Sequence, residues 1–173
     1  YAVLGTTIGA RLGHCLFYDP VYYMAHPLEI FMIWEGGLAS HGGGLGVMTG
    51  IYLFTRKNPE FSFWWIFDRG AIYVVMTGAL IRLGNLMNSE ILGKATDGSW
   101  GFIFDKVDQI PRHPTQIYES VCYFVIFLIA RMMYMKKKAL SPRGQIFGFV
   151  IAAIFVCRFV IEFFKENQVH LKR

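Results

Sequence analysis

ALIRLGNLMNSEILG, Ala79 to Gly93, is the stretch that decides how this chain folds. A long apolar run enters it from Ile72. Arg82, Asn85, Asn88 and Glu90 then follow close together, with glycines at Gly84 and Gly93. An apolar run of this kind reads as a membrane-crossing helix. A charged side chain at bilayer depth is costly, so an arginine there marks a functional-site hypothesis and requires a partner. Arg82 and Asn85, three residues apart, share one helix face. Arg82 has no acid three or four residues away, so its partner is a carboxylate from another helix, such as Glu119, or a bound anion.

The composition agrees. Of 173 residues, 54% are hydrophobic and 17% charged, with 16 Phe and 18 Gly. Soluble domains carry about 25% charge, so the balance points to a polytopic membrane protein, with a large all-α soluble domain as the alternative. The formal charge of +5 is not a nucleic-acid signal. The basic residues cluster in short loops between apolar runs, at Arg56-Lys57 and Lys136-Lys137-Lys138, as the positive-inside rule demands. Cys15, Cys122 and Cys157 are scattered singly in apolar surroundings and give neither a disulfide framework nor metal-type spacing.

Five hydrophobic segments follow: Tyr1 to Tyr18, Leu38 to Thr55, Phe63 to Met87, Thr115 to Tyr134 and Gln145 to Phe164. The expected fold is all-α, a polytopic transmembrane helix bundle of about five helices, with residues 1–173 forming a single integral-membrane domain. The glycines at Gly42 to Gly44, Gly46 and Gly50 suit close helix packing. The chain starts apolar at Tyr1, without a start methionine or a signal-peptide n-region, and reads as the inside of a longer protein. The basic loops place Arg56 to Glu60 and Arg131 to Arg143 on the cytoplasmic side. The connections Asp19 to Gly37 and Asn88 to Pro114, and the tail after Phe164, then face outward. Asp68 and Arg69, near the cytoplasmic start of the third segment, do not share a helix face. A structural role is as open for them as a functional one.

On this topology the intramembrane polar residues collect at one depth. Arg11 and His14 end the first segment, and His41 begins the second. Arg82 to Glu90 close the third, His113, Gln116 and Glu119 open the fourth, and Arg158 with Glu162 close the fifth. Scattered structural ion pairs have no reason to gather at one level, whereas an outward polar chamber does. Arg158 and Glu162, four apart, can form a neutralising pair. Two arginines in one chamber suit bidentate recognition of phosphate. The run SHGGGLG, Ser40 to Gly46, offers close backbone approach or anion-binding amides, or else a small-residue packing face with a hydrogen-bonded His41. It lacks the lysine and strand context of a nucleotide phosphate loop. His41, whose imidazole is the side chain suited to proton transfer near neutral pH, is the candidate general base. Pro114 suits the first turn of the fourth helix, and Gln116 and Glu119 can both face inward. Gly-x-Ser-x-Gly, HExxH and Cys-x-x-Cys motifs are absent, which removes the common hydrolase, metalloprotease and redox readings.

With these residues in view, the chain resembles the prolipoprotein diacylglyceryl transferases of bacterial inner membranes. The family signature G-R-x-[GA]-N-F-x-N-x-E-x-x-G is matched by Arg82, Gly84, Asn85, Asn88, Glu90 and Gly93, with Ile81 and Leu86 departing from it. WEGGLASHGGGLG (Trp34 to Gly46), RHPTQIYE (Arg112 to Glu119) and RFVIEF (Arg158 to Phe163) resemble three further family blocks in order. Lys165-Glu166-Asn167 replaces the usual Arg-x-Pro-Asp continuation. GARLGHCLFY, Gly9 to Tyr18, is also family-like. Family members have about seven helices, so the resemblance implies a central portion without the first and last.

The resemblance further implies transfer of a diacylglyceryl group from phosphatidylglycerol to the lipobox cysteine of a preprolipoprotein signal peptide, with glycerol phosphate leaving. His41, Arg82 and Arg158 take the leading catalytic roles, and a carboxylate base is the alternative to His41. Asn85 and Asn88 hold the headgroup, Glu90, Glu119 and Glu162 hold the arginines, and Gly93 completes the substrate-binding set. No metal or cofactor is required and no nucleic-acid partner is expected; the partners are the two substrates and membrane lipids. The location implied is the bacterial inner membrane, with the site towards its outer half. A transporter or lipid-binding protein using the same arginines for an anion is the competing reading, and an assembly subunit a third.

Overall fold

The computed structural model describes residues 1–98, 100–137 and 143–166. Lys138 and Asn167, which entered the sequence reading, lie outside them. The chain is helical throughout its apolar stretches and divides into two compact units, Tyr1–Ile66 and Phe67–Arg173. The helices at the five expected positions are α1 (Ala2–Phe17), α3 (Ser40–Lys57), α4 (Phe63–Met87), α5 (Thr115–Lys137) and α6 (Gln145–Glu162). A short α2 (Pro20–Ala25) lies between α1 and α3. Among the described residues three of them are long and apolar enough to cross a membrane: Phe63–Met87, Thr115–Lys136 and Gln145–Glu162. The 16 residues of α1 extend only about 24 Å at 1.5 Å per residue, short of the hydrocarbon thickness of about 30 Å.

In the first unit α1 packs on α3 through two glycine rows. Gly5, Gly9 and Gly13 face Gly42, Gly46 and Gly50, each row repeating every four residues and so lying on one helix face. A Cβ at Gly46 would overlap the Gly5 carbonyl oxygen, and one at Gly9 would come within 2.7 Å of the Gly46 Cα. The two backbones therefore touch, as small residues allow between membrane helices. Most of the Ser40–Gly46 glycine run is engaged in this packing; only Gly44 has nothing within 4 Å of its Cβ direction.

Arg11 organises the connection between α1 and α3. It is only 3% exposed. Its guanidinium donates to the carbonyls of Glu29 (2.5 Å), Gly36 (2.6 Å), Ile30 (3.0 Å) and Gly37 (3.3 Å). It also lies 5.1 Å from the Tyr23 ring centroid. Five fixed N–H donors suit a fork of converging carbonyls. Sequence reading placed Arg11 among the chamber residues; its donors are instead used on the backbone of residues 29–37.

In the second unit, Ala71, Ile72, Val75 and Ala79 of α4 meet Tyr123, Ile126 and Ala130 of α5 and Ile146 and Val150 of α6 in one core. Between α4 and α5 the chain forms a small antiparallel hairpin, β1 (Phe102–Ile103) with β2 (Pro111–Arg112). Two-residue strands carry too little alternation to be read from sequence. Asp68 has a structural role: its carboxylate accepts the Gly144 N–H at 2.8 Å and the Phe147 N–H at 2.9 Å, capping the start of α6. These N–H groups have no partner within their own helix. Asp68→Ala is therefore expected to lower stability by about 1–2 kcal/mol, read as a fall in Tm in detergent, and Asp68→Asn, which keeps an acceptor, by less.

Candidate functional site

The site begins where α4 ends. Beyond Met87 the chain turns sharply, with Ser89 at φ 57° and Ile91 at φ 56°. A β-branched residue in the left-handed region is strained by roughly 1–3 kcal/mol and persists only where its surroundings enforce it. Here α5 does so. The Gln116 amide donates to the Glu90 carbonyl at 2.6 Å, and the Thr115 hydroxyl donates to the Ile91 carbonyl at 3.2 Å. Both side chains are fully buried. The Glu90 N–H closes the turn onto the Asn85 carbonyl at 2.8 Å.

Inside this frame the signature residues form a connected network. Arg82 Nε lies 2.8 Å from Glu119 Oε2, the first of the two partners, a carboxylate from another helix or a bound anion, that the sequence leaves open. Arg82 Nη1 donates to Asn85 Oδ1 at 3.2 Å, and Asn85 Nδ2 donates to Glu90 Oε2 at 2.7 Å. Glu119 is fully buried. Its Oε2 accepts no aligned hydrogen bond, so the Arg82 contact holds by charge rather than by direction. Its other oxygen, Oε1, accepts from Lys165 Nζ at 2.9 Å.

Lys165 is the member that sequence reading missed. It stands just past α6 and reaches back because the chain turns there, with Phe164 N–H on the Ile161 carbonyl and Lys165 N–H on the Glu162 carbonyl. Its backbone forms an isolated antiparallel bridge with Gly93. Gly93 needs its missing side chain, since a Cβ would overlap the His113 carbonyl oxygen. The available signal was a cation three residues after Glu162. Glu162 is 3.5 Å from Lys165 and largely exposed, and this contact takes the place of the Arg158–Glu162 pair that helical spacing allows. Arg158 itself is exposed, and among the described residues no carboxylate lies within ion-pair distance of it. Asn88 is exposed at the end of α4 and contributes its backbone N–H to the Gly84 carbonyl.

The wall next to this cluster is held by Arg112, which is 5% exposed. It donates to Asp108 at 2.7 and 3.3 Å and to the Gly93 carbonyl at 3.3 Å, and it pairs with Glu166. The Arg112 hydrogen bonds hold the Asp108 carboxyl below the ordinary carboxylate value of 3.8. A lowered folded-state pKa contributes stability that is present above the unfolded value and lost as pH falls through the folded one. Amide exchange at residues 102–112, taken relative to its intrinsic rate at each pH, is therefore expected to stay slow at neutral pH and to quicken only below about pH 4. Asp108→Asn should quicken it at neutral pH.

His41 belongs to the first unit. It is exposed near the start of α3, stacked on Tyr18 with centroids 6.0 Å apart and edge-on to Phe17 at 5.5 Å. His14 stacks on Tyr18 at 5.3 Å, so the phenol ring neighbours both imidazoles. His41 lines a cavity of about 640 Å³ between α1 and α3, walled by Leu12, Leu16 and Leu45.

The model of the prolipoprotein diacylglyceryl transferase family matches residues 1–173. A phosphatidylglycerol–prolipoprotein diacylglyceryl transferase of Tolumonas auensis is 52% identical over 97% of this chain and 65% of its own length. The protein of the same name from Chloroherpeton thalassium is 52% identical over 97% of this chain and 63% of its own. That of Bacteroides fragilis is 46% identical over 98% and 65%. The chain thus spans slightly under two thirds of the length of these relatives. It belongs to the prolipoprotein diacylglyceryl transferase family.

Proposed function

We propose that this chain is part of an enzyme that moves the diacylglyceryl group of phosphatidylglycerol onto the lipobox cysteine of a preprolipoprotein. The observation that carries the reading is the Arg82–Glu119–Lys165 cluster, tied through Asn85 and Glu90 to a strained turn at the end of a membrane helix. Preorganised cations of this kind stabilise charge that develops on a leaving phosphate. In the reaction the thiol loses its proton to a base, for which His41 is the candidate. The sulfur then bonds to the glyceryl carbon. The bond from that carbon to the phosphate oxygen breaks, and glycerol phosphate leaves with the electron pair. Arg82 and Arg158 meet the growing phosphate charge, and Asn85 and Asn88 hydrogen-bond the headgroup. Glu90 and Glu119 hold Asn85 and Arg82 in place. The basic loops orient the bundle in the inner membrane with this site towards the outer half.

The test is to incubate the purified full-length protein with phosphatidylglycerol and a fluorescent lipobox peptide and to separate the lipids by thin-layer chromatography. Consumption of the lipid with a lipidated peptide is the expected result. Movement of lipid without conversion points to a transporter, and neither outcome points to a scaffold; both overturn the reading.

A further inference from the structure

We propose that Lys165 sets the charge of the phosphate site, by sharing the buried carboxylate of Glu119 with Arg82 and so leaving one net positive charge for an anionic headgroup. This rests on the transferase reading above and assigns a specificity-determining residue to it.

Glu119 is fully buried and has a cation on each oxygen, Arg82 Nε at 2.8 Å from one and Lys165 Nζ at 2.9 Å from the other. Arg82 and Glu119 alone make a neutral pair. Such a pair positions a guanidinium but offers little net attraction to a phosphate monoanion. Adding Lys165 changes the sign of the cluster. Lys165 is only 10% exposed, so solvent screens it weakly. The other charged groups nearby do not cancel the effect. Glu162, 3.5 Å from Lys165, is 68% exposed at its side chain, and Glu90 is exposed and bonded to Asn85. Arg158, exposed on α6 and with no carboxylate in ion-pair distance among the described residues, adds a further positive charge. Lys165 is also fixed in place, because its backbone is bridged to Gly93 and the neighbouring Phe163 carbonyl accepts from Lys94 Nζ at 2.9 Å.

Charge and packing predict different results for a double variant. The full-length protein is reconstituted in phosphatidylcholine vesicles with graded phosphatidylglycerol, and kcat and KM for the lipid are measured. Lys165→Met makes the Arg82–Glu119 pair neutral and is expected to raise KM about tenfold or more, with a smaller change in kcat. Lys165→Arg keeps the charge and stays near wild type. Glu119→Gln combined with Lys165→Met restores a single positive charge on Arg82 and should recover most of the lost KM. A double variant no better than Lys165→Met, or a Lys165→Met variant with unchanged KM, overturns the proposal. If the wild-type protein consumes no lipid, the transferase reading fails. The rise in Tm on adding phosphatidylglycerol then scores the same variants: loss in Lys165→Met and recovery in the double variant support the charge role, and the absence of that pattern overturns it.

Discussion

Arg82→Ala is expected to lower lipidation of a lipobox peptide by about 10²–10³-fold, the usual effect of removing one preorganised charge from a developing oxyanion. The geometry makes the loss larger than one contact. Arg82 uses Nε on Glu119 and Nη1 on Asn85, so its removal also frees Asn85, which otherwise links it to Glu90. Arg82→Lys should rescue only in part, since an ammonium keeps the charge facing Glu119 but is more compact than a guanidinium and loses the Nη1 bond to Asn85. The fold should survive, because Glu119 retains Lys165 and the turn at residues 88–91 is held by Gln116 and Thr115 rather than by Arg82. Lipidation is followed by the mobility shift of a fluorescent peptide, with Tm measured in parallel. An Arg82→Ala protein that is folded and fully active would remove the arginine from the proposed chemistry.

Much of this site was legible because membrane burial makes charge conspicuous. An arginine after an apolar run, with no acid a turn away, called for either a carboxylate from another helix or a bound anion, and Glu119 is the carboxylate found there. The five apolar stretches likewise became α1, α3, α4, α5 and α6. Where sequence reading differed from the structure, the cause is backbone geometry. Arg11 had the same outward signs as Arg82, yet its partners are carbonyls of residues 29–37, which have no side-chain signature. Lys165 lies beyond the end of α6, where helical spacing no longer applies; a turn of chain carries it back over Glu119. Asp68, close in sequence to Arg69, accepts N–H groups from the start of a helix more than seventy residues away. The strained Ile91 is invisible in the sequence because only the pull of Gln116 and Thr115 makes it tolerable.

Gly46→Ala is expected to destabilise the first unit by about 2 kcal/mol or more, and Gly44→Ala to leave it unchanged or slightly stabilised. The two glycines are two residues apart on α3 and carry the same helix-propensity cost relative to alanine. They differ in what a methyl group would meet. At Gly46 it would overlap the Gly5 carbonyl oxygen, a backbone atom that no rotamer change can move aside, whereas at Gly44 nothing lies within 4 Å. A propensity effect alone would stabilise both variants, so opposite signs of the Tm shift in detergent isolate the helix contact. The consequence reaches the proposed base, because α1 carries Tyr18 at its end and α3 carries His41. Forcing the helices apart pulls the imidazole off the phenol on which it stacks. Gly46→Leu should therefore lose lipidation activity together with stability, while Gly44→Leu keeps both. Equal behaviour of the two leucine variants would show that the glycine rows do not hold His41 in place.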